Sequence, residues 1–418
     1  MGKSLKTNNT DNQKDIQPRL AICTALPKEL AACLAIFDST TPLNSDCPDD
    51  ANQYWWGSLP SRGGGKPHQV LVTSLVKMGN NVAATAIANL IRSFPTVECI
   101  LMVGIAGGVP DPKKVESHVR LGDVVVTNEK GILQYDNNKR DSNLIEVRDN
   151  SPKPGAFLIA AAKALEAERL LGKHPWQDHI ARCNHLEDYQ RPSSNTDVLR
   201  DSSDKKKRIK HPIDPWRNRH PNSPKIHLAA IGSANTLLKD AIFRDQLRDK
   251  HGVRAIEMEG SGTADASWSA GREYIVIRGI CDYCDEQKND IWQNHAALVA
   301  AAYARSLIEN LSYHPPRQRA DRNPFVASEG ASSSVERTII VSSNLSDDIE
   351  QLLVDLGEAK AEKTGINSLN ARAWRCRRGL ASIVSRACCF GWHSNTTGNT
   401  SELLLSCGPL GTRRRKTS

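Results

Sequence analysis

Apolar residues run along the chain in short blocks separated by stretches of helical periodicity and by polar segments. Blocks over 20–26, 53–59, 69–75, 97–103, 124–127, 226–231, 254–258 and 274–280 are short, mostly apolar and bounded by Gly, Pro or polar residues, which predicts buried strands. Between them, apolar positions recur at helical spacing over 27–37, 82–93, 156–171, 237–250, 261–270 and 292–311. Strand and helix in alternation predict an α/β domain whose central sheet is mixed, mostly parallel and flanked by helices.

The pattern also divides the chain. Residues 1–18 are polar and read as a disordered N-terminus, and 19–314 form one domain. Within it, 172–225 breaks the periodicity with His174-Pro175-Trp176, His211-Pro212, Pro215-Trp216 and the run Lys205-Lys206-Lys207-Arg208, and is expected to be a basic, mostly irregular insertion. Pro315-Pro316-Arg317 closes the domain and opens a Ser-rich linker over 315–344. In 345–418 only Ile349, Leu352, Leu353 and Leu356 share a helical face, so a short helix and a disordered or weakly folded tail are expected there.

Composition narrows the class. Lys and Arg number 55 against 47 Asp and Glu, a formal charge of +8 concentrated in two stretches, which favours anionic partners locally. Eleven cysteines, odd in number and lying mostly in apolar runs, point to reduced thiols and a cytoplasmic location. The first residues lack the apolar core of a signal peptide, no stretch approaches a membrane span, and Lys6 stands where a myristoylation signal needs Ser or Thr, so no membrane partner is expected.

Three constellations could carry chemistry. Gly104-Ile105-Ala106-Gly107-Gly108 follows an apolar strand, where glycines let backbone N–H groups approach a ligand; the spacing matches no dinucleotide or P-loop fingerprint. Glu257-Met258-Glu259-Gly260 ends a strand whose alternation places both carboxylates on one face, suited to the hydroxyls of a sugar. Cys281-Asp282 closes the next apolar strand, where a carboxyl among apolar neighbours can serve as an acid. Cys281 and Cys284 have metal-ligand spacing without a second pair, so neither a metal nor an organic cofactor is expected. Trp176, Trp216 and the basic run could meet nucleic acid, but a solvated loop is the stronger reading.

Taken in order, Thr24-Ala25-Leu26-Pro27-Lys28-Glu29, 103–110, 120–126, 231–240, 255–260 and 276–285 resemble the nucleoside phosphorylase and nucleosidase superfamily, in particular its methylthioadenosine/S-adenosylhomocysteine nucleosidase branch and defence-associated relatives. The resemblance spans about 19–312. It implies a phosphorylase/hydrolase-like fold in which Glu29 activates the attacking water, Glu259 binds the ribose hydroxyls and Asp282 protonates the leaving purine. It places Ile105, Ala106 and Gly107 beside the sugar, Glu257 and Met258 on the ribose side, Leu237 and Leu238 against the base, and Cys281 where Ser is usual. Breaking an N-glycosidic bond builds positive charge on the ribose and negative charge on the base, so those roles are chemically coherent.

The leading expectation is hydrolytic release of a purine, adenine first, from a nucleoside or nucleotide. Phosphorolysis competes within the fold, although the 24–30 segment carries an acid where phosphorylases carry phosphate-binding arginines. A nucleotide-sensing module joined to a signalling partner is the reading from another class, and nucleic-acid binding is the weakest. By resemblance, a homo-oligomer is implied.

Overall fold

The computed structural model describes residues 17–313 apart from 46, 142–143 and 148–150. The expectations for 1–16, for the 315–344 linker and for the helix and tail of 345–418 lie outside the described residues. In chain order the strands are β1 (Leu20–Thr24), β2 (Thr40–Leu43), β3 (Tyr54–Leu59), β4 (His68–Ser74), β5 (Cys99–Gly108), β6 (Val124–Gln134), the hairpin β7 (Asn138–Asp141) and β8 (Leu144–Val147), the small pair β9 (Leu199–Arg200) and β10 (Arg208–Ile209), β11 (Ile226–Ser233), β12 (Val253–Glu257) and β13 (Glu273–Asp282). The helices are α1 (Pro27–Ala35), α2 (Asn80–Ser93), α3 (Ala156–Leu170), α4 (Pro175–Arg182), α5 (Pro215–Arg219), α6 (Ala241–His251), α7 (Gly260–Ser269) and α8 (Gln293–Glu309).

Nine strands form one sheet in the order β12-β11-β6-β13-β5-β1-β4-β3-β2. The centre is parallel, β13 with β5, β5 with β1 and β1 with β4, while β2, β3 and the β6–β13 pair are antiparallel. Beyond its parallel partners, the end of β5 crosses to β12, pairing Gly107 with Ile256 and Gly108 with Ala255 antiparallel. Strands β12, β11, β6, β13 and β5 thereby close on one another, and the carboxyl ends of β5, β12 and β13 meet at one place.

Alternation along the strands sorts side chains to two faces. Ile22, Val72, Leu101 and Val103 pack with α1, α3 and α8, whereas Ala21, Cys23, Leu71, Ile100 and Met102 pack in the second cluster, with Ala83, Ile87 and Leu90 of α2 and Ala264 of α7. An Ala-rich α8 is what lets a long helix lie close to the sheet: it buries every residue from His295 to Ile308.

Four sequence expectations are corrected. The Gly104 to Gly108 segment is not a loop; it is the last half of β5, paired on β13 and then on β12. The strand foreseen over 124–127 continues to Gln134, because β11 shifts register between Ala229 and Ile231 and picks up pairing again at Ile132. The helix foreseen from Leu237 starts at Ala241, since Asp240 caps it by accepting from the N–H groups of Ile242 and Phe243. The insertion holds α4, α5 and the β9–β10 pair, and within it Trp176 is only 1% exposed, its ring 5.7 Å from that of Tyr303 in the core. A solvated loop is therefore the wrong description of Trp176.

Candidate active site

Pro27 starts α1 directly after β1, so Glu29 falls in the first turn, where backbone N–H groups lack helical partners. Its Oε2 accepts from Ala25 N at 2.8 Å and Leu26 N at 2.9 Å, and its Oε1 accepts from Ile105 N of β5 at 2.7 Å. Three of a carboxylate's roughly four acceptor positions are thus filled, which leaves one. Burial raises the Glu29 pKa, against the opposing pull of Arg278 and these N–H groups. A buried carboxylate with a raised pKa and one free acceptor position is a suitable general base.

Glu257 ends β12 and turns its carboxylate onto the start of α7, accepting from Glu259 N at 3.0 Å and Gly260 N at 2.9 Å. Glu259 lies beyond the strand, at the N-cap of α7, and faces the same place because the chain turns there; strand alternation, the reason the sequence offered, does not reach it. Between the two stands Arg278 of β13, fully buried, whose Nη2 donates to Glu257 and to Glu259 at 3.1 Å. Glu259 also accepts from Gly79 N at 3.1 Å. Its pKa is pushed up to about 7, chiefly by burial, with Glu257 and Glu29 adding to the rise that Arg278 opposes. Arg278 keeps Nε and Nη1 without a hydrogen-bond partner.

Asp282 is the last residue of β13. Its Oδ1 accepts from Cys284 N at 2.9 Å, and its Oδ2 lies 3.0 Å from Lys288 Nζ and 3.2 Å from Cys281 Sγ. Burial, with Asp282 alongside, lifts the Cys281 thiol well above its usual range, so the group stays protonated and can donate where a serine hydroxyl would. Two glycines of β5 make room for these groups. A β-carbon at Gly104 would collide with Glu29 and Arg278, and one at Gly107 would meet Cys284 Sγ and Asp282 Oδ1.

Glu29, Ile105, Ala106, Gly107, Leu237, Leu238, Glu257, Met258, Glu259, Cys281 and Asp282 all line one cavity of about 340 Å³. The residues to which the resemblance gave a catalytic or substrate-side place are therefore all brought together. Leu237 and Leu238 contribute from the loop before α6, with Leu237 half exposed. Sequence reasoning missed Lys28, Lys288 and Gln293, which also line the cavity, and gave Arg278 no role. Arg278 had a signal: an arginine inside an apolar strand requires carboxylate partners.

A larger cavity of about 750 Å³ lies around Asp214, Trp216, Lys225 and His227. Within it Lys225 pairs with Asp214 at 2.9 Å and Arg169 with Glu166 at 2.7 Å. Arg120 is engaged with Asp197 at 2.7 Å. Lys205 pairs with Glu286 at 2.5 Å and lines a separate cavity with Lys239 and Asp285, away from Glu29. No group of side chains that could hold a metal ion occurs among the described residues. Among them, too, no helix is long and apolar enough to cross a membrane.

The fold and this cavity define an α/β protein with a candidate active site at the carboxyl ends of β5, β12 and β13. No family model matches the chain. A nucleotide-binding leucine-rich repeat (NLR)-like protein of Hyaloscypha variabilis is 32% identical over 320 residues, 72% of this chain and 31% of that protein. The ATP nucleosidase Cap17 of Escherichia coli is 24% identical over 294 residues, 70% of this chain and 51% of that enzyme. This chain thus spans 31% of the first of these relatives and 51% of the second. Among solved structures, 5'-methylthioadenosine/S-adenosylhomocysteine nucleosidase of Neisseria meningitidis has a TM-score of 0.45 at 17% identity, covering 70% of this chain and 99% of that one. Futalosine hydrolase of Helicobacter pylori gives 0.46 at 17% identity, covering 71% and 99%. In sequence the chain is thus similar to an ATP nucleosidase and to an NLR-like protein.

Proposed function

We propose that the protein hydrolyses the N-glycosidic bond of an adenine nucleoside or nucleotide. The observation that carries this is the convergence of Glu29, Glu259 and Asp282 on one cavity, each on a different element and each fixed by its own hydrogen bonds. In this reading Glu29 takes a proton from the attacking water, Glu259 holds the ribose hydroxyls, and Asp282 gives a proton to the departing base. Arg278 supports the site from behind, donating to Glu257 and Glu259 and setting its charge beside Glu29. Leu237, Leu238 and Met258 supply the apolar wall against which a flat base lies.

Water suits this centre better than phosphate. One guanidinium already faces Glu29, Glu257 and Glu259, and a phosphate dianion added to three carboxylates around one cation would meet net repulsion. The relatives that bear an enzyme's name are nucleosidases or hydrolases, which supports the same choice. The Cap17 name supports a nucleotide, and Lys28, which lines the cavity, is a cation that a charged 5′ group could meet.

The test is release of free base from methylthioadenosine, S-adenosylhomocysteine, adenosine, inosine, AMP and ATP, each with and without phosphate, with Asp282→Asn as control. Adenine release without phosphate that falls by about 10² or more in the control supports the reading. Strict phosphate dependence replaces it by phosphorolysis, and no release with measurable binding replaces it by nucleotide sensing.

A further inference from the structure

The insertion is fastened to the segment that carries the acid. After Asp282 the chain runs through Tyr283, Cys284 and Lys288 to Trp292 at the start of α8, forming one wall of the cavity. Two consecutive residues of the insertion hold its two ends. Asp197 Oδ1 accepts from the Tyr283 hydroxyl at 2.5 Å, and Thr196 Oγ1 accepts from Trp292 Nε1 at 3.0 Å. Asp197 is itself fixed by Arg120 at 2.7 Å and His211 at 3.3 Å, and His211 rests on His118 at 2.9 Å.

The turn so held is one the chain does not favour. Cys284 has φ of 51°, in the left-handed region, and is buried with a full side chain. In the same turn Cys284 N donates to Asp282 Oδ1 at 2.9 Å. Tyr283 locks it from the other side: its hydroxyl bonds Asp197 and accepts from Leu121 N at 3.3 Å, while its carbonyl accepts from Arg244 at 2.6 Å. Loss of the hydroxyl releases the phenol and, with it, the backbone that orients the acid.

We propose that Asp197 and Thr196, acting through Tyr283 and Trp292, are positioning residues for Asp282, so that the insertion belongs to the acid's supporting structure. This rests on the reading of Asp282 as the acid. A proton donor misplaced by a fraction of an ångström loses rate without losing substrate affinity.

A mutant cycle in the full chain tests it, with kcat and KM measured for Tyr283→Phe and for Thr196→Val, alone and in the Asp282→Asn background, under single-turnover conditions with the best substrate. Tyr283→Phe should lower kcat at least about tenfold with KM within about twofold, and Thr196→Val should do the same to a smaller degree. In the Asp282→Asn background neither should cause further loss. Losses that multiply in that background, a rise in KM alone, or no change in either background overturn the proposal. Thr196→Val, a same-sized change at a partly buried position, decides the matter should Tyr283→Phe fail to fold. A wild type that releases no base, or an Asp282→Asn variant of full activity, overturns the nucleosidase reading itself and this one with it.

Discussion

Two buried clusters of charge lie in this domain, and they are built on opposite terms. Around Asp123, Arg217 donates at 2.5 and 3.0 Å, Arg120 N at 2.8 Å and Lys225 N at 3.0 Å, and His227 lies at 3.3 Å. Burial alone would raise the pKa of Asp123, but Arg217 and His227 together hold it well below the usual carboxylate range. Around Arg278 the count is reversed. Three carboxylates share one guanidinium, two nitrogens of which have no partner, and Glu29 and Glu259 are both raised. The first cluster is closed and serves to join the insertion to the sheet. The second is left short of positive charge and of hydrogen bonds, an imbalance that functional sites carry more often than structural ones.

The largest effect that could break this contrast is on rate. Glu29→Gln should cut base release by about 10³-fold while leaving thermal stability equal or higher, because it removes a buried charge that costs the fold energy. A stability loss as large as the activity loss would make Glu29 structural. Next in size, Asp123→Asn should destabilise the domain by about 3 kcal/mol in denaturant unfolding, since Arg217 is left buried without its anion. Its kcat, taken on the folded fraction, should change far less than in Glu29→Gln.

The smallest effect is the most specific to the unbalanced cluster. With its folded pKa near 7 against an ordinary 4.5, Glu259 keeps its proton in the native state where the unfolded chain has lost it. Its contribution to stability therefore falls as pH rises from about 4.5 to 7. Glu259→Gln should match the wild type in Tm near pH 4.5 and exceed it by a few degrees at pH 8; a pH-independent difference would remove the raised pKa from the account.

Much of this was legible in the sequence, for identifiable reasons. Glu29 follows a helix-starting proline, and Asp282 ends an uninterrupted apolar strand, so local rules locate both. The Gly104 to Gly108 segment misled because glycine reads as a turn; in β5 the glycines at 104 and 107 stand in a strand, where they spare Glu29, Arg278 and Asp282 a collision. The continuation of β6 was hidden by the polar run Asn128-Glu129-Lys130, which marks a register shift and not a strand end. The order of the insertion was hidden more deeply. What fixes it are side-chain bonds across long separations, Asp197 to Tyr283 and Arg217 to Asp123, and no local periodicity reports such bonds.

The Asp123 cluster also sets a timetable. Its partners Arg217, Lys225 and His227 come 94, 102 and 104 residues later in the chain, and β6 likewise waits for β11. At about 5 to 20 residues per second of synthesis, the carboxylate and its strand emerge some 5 to 20 seconds before anything that can neutralise or pair with them. The first half of the domain cannot close its sheet during that interval. Folding is thus deferred until the insertion has been made, and the nascent chain would present an open β edge for chaperones to shield in the meantime.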